Sequence, residues 1–208
     1  MSDRALVYVI DDDAQVRTSL QVILEANNCR VSLHSNAEDF LTTYTAQPGC
    51  CVITDLNMPG MTGVELQRAL AGLDKEVAVI AISGVADVPT TVQLMERGAV
   101  TVLEKPYSPA DLIAAVRKGC ARTAERRKER RELTEIQKRM DSLTEEEREV
   151  LAEIVRGKTS KVIGMSLHIS SRTLDRRRHS ILEKMQVSSV AELASIVERL
   201  NQVRTGTA

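Results

Sequence analysis

Three short apolar runs in this chain each end in a group that can bind a cation or a phosphate. Leu6-Val7-Tyr8-Val9-Ile10 runs into Asp11-Asp12-Asp13, Cys50-Cys51-Val52-Ile53-Thr54 into Asp55, and Val100-Thr101-Val102-Leu103-Glu104 into Lys105-Pro106. A fourth run, Val77 to Ile82, ends in Ser83-Gly84. Continuous apolar runs of this kind mark parallel strands buried on both faces. An open parallel sheet binds its ligands at the carboxyl ends of its strands. The pattern therefore aims three carboxylates, a hydroxyl and an ammonium at one place. Carboxylates crowded together repel, and a hard divalent cation relieves that repulsion through oxygen ligands. The expected chemistry is that of a hard cation beside a phosphoryl group.

The elements that must position these groups follow from the rest of the first 118 residues. Val16, Leu20, Ile23 and Leu24 recur at helical spacing after Asp13. A strand is expected at 30–34 and a short helix around 37–44, while Asn57-Met58-Pro59-Gly60 is a turn signal. Val64, Leu66 and Leu70 mark a third helix, and further helices are expected at 88–98 and 109–116. Five βα units make an α/β domain with a doubly wound five-stranded parallel sheet.

Strand patterns stop near residue 118. The stretch 122–139 is dense in Arg, Lys and Glu, without Gly or Pro, and reads as a helical linker over 119–141. Leu133, Ile136, Met140 and Leu143 are spaced 3, 4, 3 along it. That seam is read either as one side of a solvated spacer or as a surface pairing with a second copy. Residues 142–208 read as all helix. Thr144…Glu147 is a capping box and Gly157 stops the helix that follows. Further helices are expected at 160–167, at 172–184 capped by Ser170/Ser171, and at 191–200, with fraying from Gln202.

Composition narrows the class. The hydrophobic fraction of 43% and charged fraction of 27% are those of a globular chain. No apolar run approaches the roughly 18 residues of a membrane span. The N-terminus enters an apolar run without a small-residue cleavage site, so a cytoplasmic protein with no membrane partner is expected. Cys29, Cys50, Cys51 and Cys120 lack CxxC spacing and are expected as reduced, buried thiols rather than metal ligands. The net charge of −1 hides an asymmetry: residues 1–120 carry 9 basic and 15 acidic side chains, the remainder 19 and 14. Only the second half is suited to a polyanion.

Several of these elements, in order, resemble the receiver domain of two-component response regulators, which is flavodoxin-like. The matching residues are Ile10-Asp11-Asp12-Asp13, the stretch from Thr54-Asp55-Leu56-Asn57 through Met58-Pro59-Gly60-Met61-Thr62-Gly63, Ser83-Gly84 and Glu104-Lys105-Pro106. The resemblance implies Mg²⁺ held by Asp12, Asp55 and the backbone carbonyl of Asn57, with Asp11 acting through water. Asp13 is expected to point outward or cap the next helix. Asp55 would be the phosphoacceptor, served by a sensor histidine kinase or a small phosphodonor. Lys105 and the Ser83 hydroxyl, here in place of the commoner Thr, would bind the phosphoryl group. A cis Lys105-Pro106 bond is also implied. Two positions depart from the family. Val102 stands where a switch aromatic is usual, and Val85, two residues beyond Ser83, cannot orient an attacking water. A long-lived phosphoryl-aspartate is expected.

Residues 143–200 resemble the four-helix helix-turn-helix output domain of the NarL/FixJ/LuxR class. The carrying residues are Leu143-Thr144, Glu147-Arg148-Glu149-Val150-Leu151, Gly157, Lys161-Val162-Ile163, Leu167-His168-Ile169-Ser170, Arg172-Thr173-Leu174 and Ile181-Leu182-Glu183-Lys184-Met185. Asp87-Val88-Pro89 points to the FixJ-like branch. On the helix at 172–184, Leu174, Ile181, Leu182 and Met185 share a face for packing, while Asp175, Arg176 and His179 point away. Such a helix lies in the major groove of double-stranded DNA. Arg176 is the candidate for guanine, and Asp175 for cytosine N4 or for orienting an arginine. Arg177, Arg172 and Lys161 are assigned to phosphates. Arg178 falls near the apolar face and is expected to snorkel. Gly164 replaces a common Ala, lowering helix propensity by about 1 kcal/mol, and Ser160 replaces a frequent Asn. His168 and His179 have no partners at metal-binding spacing. Aromatics at 2% argue against single-strand binding by stacking.

The reading that unites both halves is a phosphorylation-dependent, DNA-binding transcriptional regulator, not an enzyme beyond its own phosphoryl acceptance and slow autodephosphorylation. The resemblance implies a homodimer on phosphorylation, formed through the face built from the fourth helix, fifth strand and fifth helix. A constitutive DNA-binding dimer with a degenerate receiver is the alternative that Val102 keeps open. An aspartyl phosphohydrolase would need an acidic residue two positions after Asp55, where Asn57 stands, and a cap domain that the pattern lacks. The expected domains are a receiver over 1–118, the linker over 119–141 and the helix-turn-helix domain over 142–208.

Overall fold

The computed structural model describes residues 4–84 and 88–204 and divides into two compact units, 1–128 and 129–208. In the first, β1 (Leu6–Ile10), β2 (Arg30–His34), β3 (Cys51–Asp55), β4 (Ala78–Ser83) and β5 (Thr101–Glu104) form one sheet in the order β2-β1-β3-β4-β5. Every pairing is parallel, with Tyr8 beside Val52 and Ile53 beside Ile80 in register. Helices α1 (Ala14–Ala26), α2 (Ala37–Thr43), α3 (Gly63–Leu73), α4 (Val88–Glu96) and α5 (Pro109–Asp141) follow the strands in turn. This is the expected doubly wound α/β sheet.

Alternation along the strands sets the layers, since successive side chains point to opposite faces. Val7, Val9, Cys51, Ile53, Ala78 and Ile80 face Leu20 and Leu24 of α1 and Leu112 and Val116 of α5. Tyr8, Ile10, Val52 and Val79 face Phe40 of α2 and Leu66 and Leu70 of α3. The central strands β3 and β4 are buried throughout, whereas the edge strand β2 is partly exposed. Strand order reverses between β1 and β3, so their carboxyl ends flank the crevice where such sheets bind ligands.

One helix, α5, replaces the expected short helix and separate linker. Its course beyond residue 118 has a physical cause within the first unit. The Thr123 hydroxyl accepts the buried amide of Ala78 at 3.0 Å. Arg127, 8% exposed, pairs with Asp74, which also accepts the Tyr44 hydroxyl at 2.6 Å. Burial, and then the bond to Asp74, push the Tyr44 phenol up. These polar anchors tie α5 to β4 and to the end of α3, so the first unit reaches Lys128.

The second unit holds the last turns of α5 with α6 (Glu145–Val155), α7 (Ser160–Ser166), α8 (Ser171–Met185) and α9 (Val190–Arg204). Thr144 and Glu147 form the expected capping box, and Gly157 takes the left-handed φ of +75° that ends α6. Helix α9 runs on to Arg204, past the expected fraying at Gln202, while 205–208 lie outside the described residues. The 3-4-3 seam is the clearest correction. Ile136 and Leu143 are buried, and Leu133 and Met140 pack partly buried against Val150, Leu151, Ile181 and Leu193. The seam belongs to the core of this unit. It is neither a solvated spacer nor a free pairing surface. Among the described residues no helix is long and apolar enough to cross a membrane.

Glu147 joins the start of α6 to α8. Its carboxylate accepts Ser180 Oγ at 2.6 Å, Lys184 Nζ at 2.7 Å and the Thr144 amide at 2.8 Å. Burial alone would raise its pKa, but the bonds from Lys184, Ser180 and Thr144 together outweigh burial and hold the carboxyl down at about 2.

Two predictions follow from this packing. Ile136→Ala should destabilise the second unit by about 2–4 kcal/mol in chemical denaturation without changing the oligomeric state in sedimentation; a lost dimer with unchanged stability would restore the pairing seam. Glu147, ordinarily near 4.5, contributes stability above that pH and loses it as pH falls toward 2. Glu147→Gln should therefore lower stability at pH 7 by about 1–3 kcal/mol and flatten the acid limb of the stability curve below pH 4.5. An unchanged acid limb would contradict this role.

Candidate functional site

The strand ends converge as expected. Asp11 follows β1, Asp55 ends β3, Ser83 ends β4 and Lys105 follows β5. Carboxylate oxygens of Asp11, Asp12 and Asp55 all lie within 4.8 Å of one another. Asp11 is 2% exposed and Asp55 9%, while Asp12 is open to solvent. Lys105 Nζ donates to Asp55 Oδ2 at 2.6 Å and reaches Asp11 Oδ2 at 3.4 Å. Burial alone would lower the lysine's pKa, but Asp55 and Asp11 raise it above its ordinary value, so it stays an ammonium. Asp11 is itself pushed up, first by burial and further by Asp55, against the opposing pull of the Asp13 amide and Lys105.

Local backbone explains the aim of each group. Asp13 caps α1 by accepting the Gln15 amide at 2.7 Å, which turns it away from the cluster. The Asp13 amide binds Asp11 Oδ1 at 2.9 Å, and the Asn57 amide binds Asp55 Oδ1 at 3.1 Å. Asn57 itself is exposed. The Lys105-Pro106 bond is cis, and the Lys105 amide donates to the Ser83 carbonyl at 2.7 Å. Ser83 is fully buried. Val102 is half-buried against Leu56, Ala81, Leu94 and Ala99. Val85 lies outside the described residues, as do Ala86 and Asp87.

Four supporting residues have no role in the sequence analysis. Gly63 opens α3 so close to Asp55 that a Cβ would lie 2.4 Å from the Asp55 carbonyl oxygen. Only glycine admits that approach, and Gly63 stood inside the matched motif without an assigned task. The Thr62…Glu65 capping box beside it repeats the spacing of Thr144…Glu147 and was legible by the same rule. Arg17 Nη1 donates to the Asp11 carbonyl at 2.6 Å, which pins the loop carrying the three aspartates. Nothing in the sequence marks Arg17, since its partner is a backbone atom.

The second unit presents a different surface. Arg172, Asp175, Arg176 and His179 are exposed on α8, Lys161 is exposed on α7, and Arg177 is half-buried. Leu174, Ile181 and Met185 are buried on the opposite face, with Leu182 packed at its edge. Lys161 and Asp175 line one cleft of about 440 Å³ between α7 and α8. Ser170 caps α8 by accepting the Thr173 amide at 3.2 Å. Arg178 bridges the helices, donating to Ser160 Oγ at 2.7 Å, so Ser160 has a structural use. Gly164 also gains a reason. The tight turn through His168, at φ +53°, brings the Ile169 carbonyl to 3.2 Å from where a Cβ would sit. The propensity lost at Gly164 leaves room for the turn.

Residues 7–117 match the response regulator receiver domain, and residues 141–197 match the luxR family of bacterial regulatory proteins. Over 193 residues, the chain is 39% identical to the transcriptional regulatory protein FixJ of Azorhizobium caulinodans, covering 93% of this chain and 92% of that one. It is 34% identical to the response regulator protein TodT of Pseudomonas putida, covering 96% and 88%. The solved structure of the response regulator StyR, 34% identical, superposes with a TM-score of 0.85 over 95% of this chain and all of that one. Two family matches in the right order, with full-length relatives, settle the affiliation: the chain belongs to the response regulators that join a receiver to a LuxR-type DNA-binding domain, in the FixJ-like branch.

Proposed function

We propose that Asp55 accepts a phosphoryl group from a sensor histidine kinase and that this event controls binding of the second unit to double-stranded DNA. The observation that carries the reading is the packing of three carboxylates within 4.8 Å of one another, two of them held by Lys105. One ammonium cannot neutralise three acids, and an oxygen donor set of this kind suits Mg²⁺. Asp12, Asp55 and the Asn57 carbonyl would hold the ion, with Asp11 through water. When bound, Mg²⁺ supplies charge neutralisation on the phosphoryl oxygens.

The chain's own groups do the rest. A carboxylate oxygen of Asp55 attacks phosphorus as the bond to the kinase imidazole breaks, and the imidazole leaves with that electron pair. Lys105 moves from Asp55 Oδ2 to a phosphoryl oxygen, and the Ser83 hydroxyl donates to another. Positioning and electrostatics account for the acceleration. With Val102 in place of a ring, the readout runs through packing among Val102, Leu56, Ala81 and Leu94, and so to α4. Phosphorylation shifts the population toward a state that dimerises through the α4-β5-α5 face. Val88, Val92 and Met95 support that face: they recur along α4 at helical spacing and stand 74%, 48% and 46% exposed.

On DNA, α8 enters the major groove with Arg176 on guanine, Asp175 on cytosine N4 or orienting an arginine, and His179 beside them. Arg172, Arg177 and Lys161 meet phosphates, which fix register without reading sequence.

The test is duplex affinity at fixed salt, using a site selected from a random library, with and without Mg²⁺ and acetyl phosphate. Wild type should bind at least about tenfold tighter with phosphodonor, the scale of a 1.4 kcal/mol population shift, and Asp55→Ala should not respond. Equal wild-type affinity in both states would replace this reading with the constitutive dimer. In the same assay Arg176→Ala should lose about 1–3 kcal/mol on the selected site and discriminate less at one base position. A uniform loss across all sequences would reassign Arg176 to a phosphate.

A further inference from the structure

Two thiols lie together where α5 crosses β3. Cys51 opens β3 and is fully buried, whereas Cys120 on α5 is half-buried. Their sulfurs are 3.6 Å apart. The approach is set by the neighbouring glycine: a Cβ on Gly119 would lie 3.3 Å from Cys51 Cβ, so α5 rests directly on the strand. A disulfide needs its sulfurs at about 2.0 Å, so closure asks the two sulfurs, 3.6 Å apart, to approach by about 1.6 Å. The other thiols are less well placed. Cys50 is fully buried on the opposite face of the sheet, with Arg127 against its sulfur. Half-buried Cys29 packs near Cys120, but its thiol directs its weak hydrogen bond to the Asn27 carbonyl.

We propose that Cys120 and Cys51 form a peroxide-reactive pair that closes to an intramolecular disulfide between α5 and β3. Cys120 is the attacking thiol because it is the solvent-reached member, and Cys51 resolves it from within. The acidities agree: the hydrogen bond between the two sulfurs holds the Cys120 thiol below its usual range against burial, and the same bond, then burial, push Cys51 well up. In the first step the Cys120 thiolate attacks one oxygen of hydrogen peroxide. An S–O bond forms, the O–O bond breaks, and hydroxide leaves to take up the thiol proton as water. In the second, Cys51 sulfur attacks Cys120 sulfur, and the sulfenic hydroxyl leaves with the Cys51 proton as a second water. Two thiols are oxidised by two electrons and one peroxide is reduced. The product ties the strand that ends in Asp55 to the helix that continues to Asp141. Transient disulfides of this kind are the form that redox sensing takes in a reducing compartment.

The full chain is treated with submillimolar hydrogen peroxide, alkylated, and mapped by mass spectrometry without reduction. Free thiols should fall from four to two, with a Cys51–Cys120 linked peptide in a monomer, restored by dithiothreitol. Cys29→Ser should leave this unchanged, and Cys120→Ser should slow thiol loss about tenfold. Cys51→Ser, if it folds, should yield a dimedone-trapped sulfenic acid at Cys120. The proposal is overturned if wild-type Cys120 runs on to sulfinic acid with Cys51 reduced. It is equally overturned if the bridge joins Cys29, or if all four thiols survive peroxide that oxidises free cysteine.

Discussion

Mutual repulsion of the Asp11, Asp12 and Asp55 carboxylates is the constraint on which the first unit is built. Two unit charges 4.8 Å apart repel by about 3.5 kcal/mol at an effective dielectric of 20, less where water screens the exposed Asp12. Lys105 offsets part of that through its contact with Asp55 at 2.6 Å. The remaining negative charge leaves a cluster of acidic oxygen donors at the strand ends. The parallel sheet forces the groups together, because their strands end on the same side.

Holding the cluster requires backbone rather than side-chain chemistry. Amides of Asp13 and Asn57 fix one oxygen of Asp11 and of Asp55, and Arg17 grips the Asp11 carbonyl. Gly63 lets α3 begin against the Asp55 carbonyl, so Asp55 is braced from behind. Preorganised dipoles of this sort do not reorganise when charge arrives, which is what positioning catalysis needs. The second unit uses the same economy. Glu147 caps α6 and binds Ser180 and Lys184 of α8, and Arg178 ties α8 to Ser160 of α7. The exposed face of α8 is thus held by contacts on its other faces.

The sequence made the sheet and the strand-end residues legible because both are periodic or local signals. Apolar runs of five or six residues mark buried parallel strands, and the polar residue after each run marks the site. What it could not reveal depended on partners far along the chain. The seam Leu133, Ile136, Met140 and Leu143 has the spacing of a pairing surface, and only the fold shows that α6, α8 and α9 cover it. The length of α5 was hidden because Arg127 finds Asp74 53 residues away. Glu147 was legible as a helix cap, but its bonds to Ser180 and Lys184 lie 33 and 37 residues on. Arg178 was expected to reach past the apolar face, and it does so to a particular hydroxyl.

The account rests on Asp55 as the phosphoryl acceptor within a cation-dependent cluster. The most direct measurement treats the full chain with acetyl phosphate in Mg²⁺ or in EDTA, reduces the acyl phosphate with borohydride, and maps the product by mass spectrometry. Conversion to homoserine is expected at Asp55 alone, and only when Mg²⁺ is present. Conversion at Asp11 or Asp12, or equal conversion in EDTA, would contradict it.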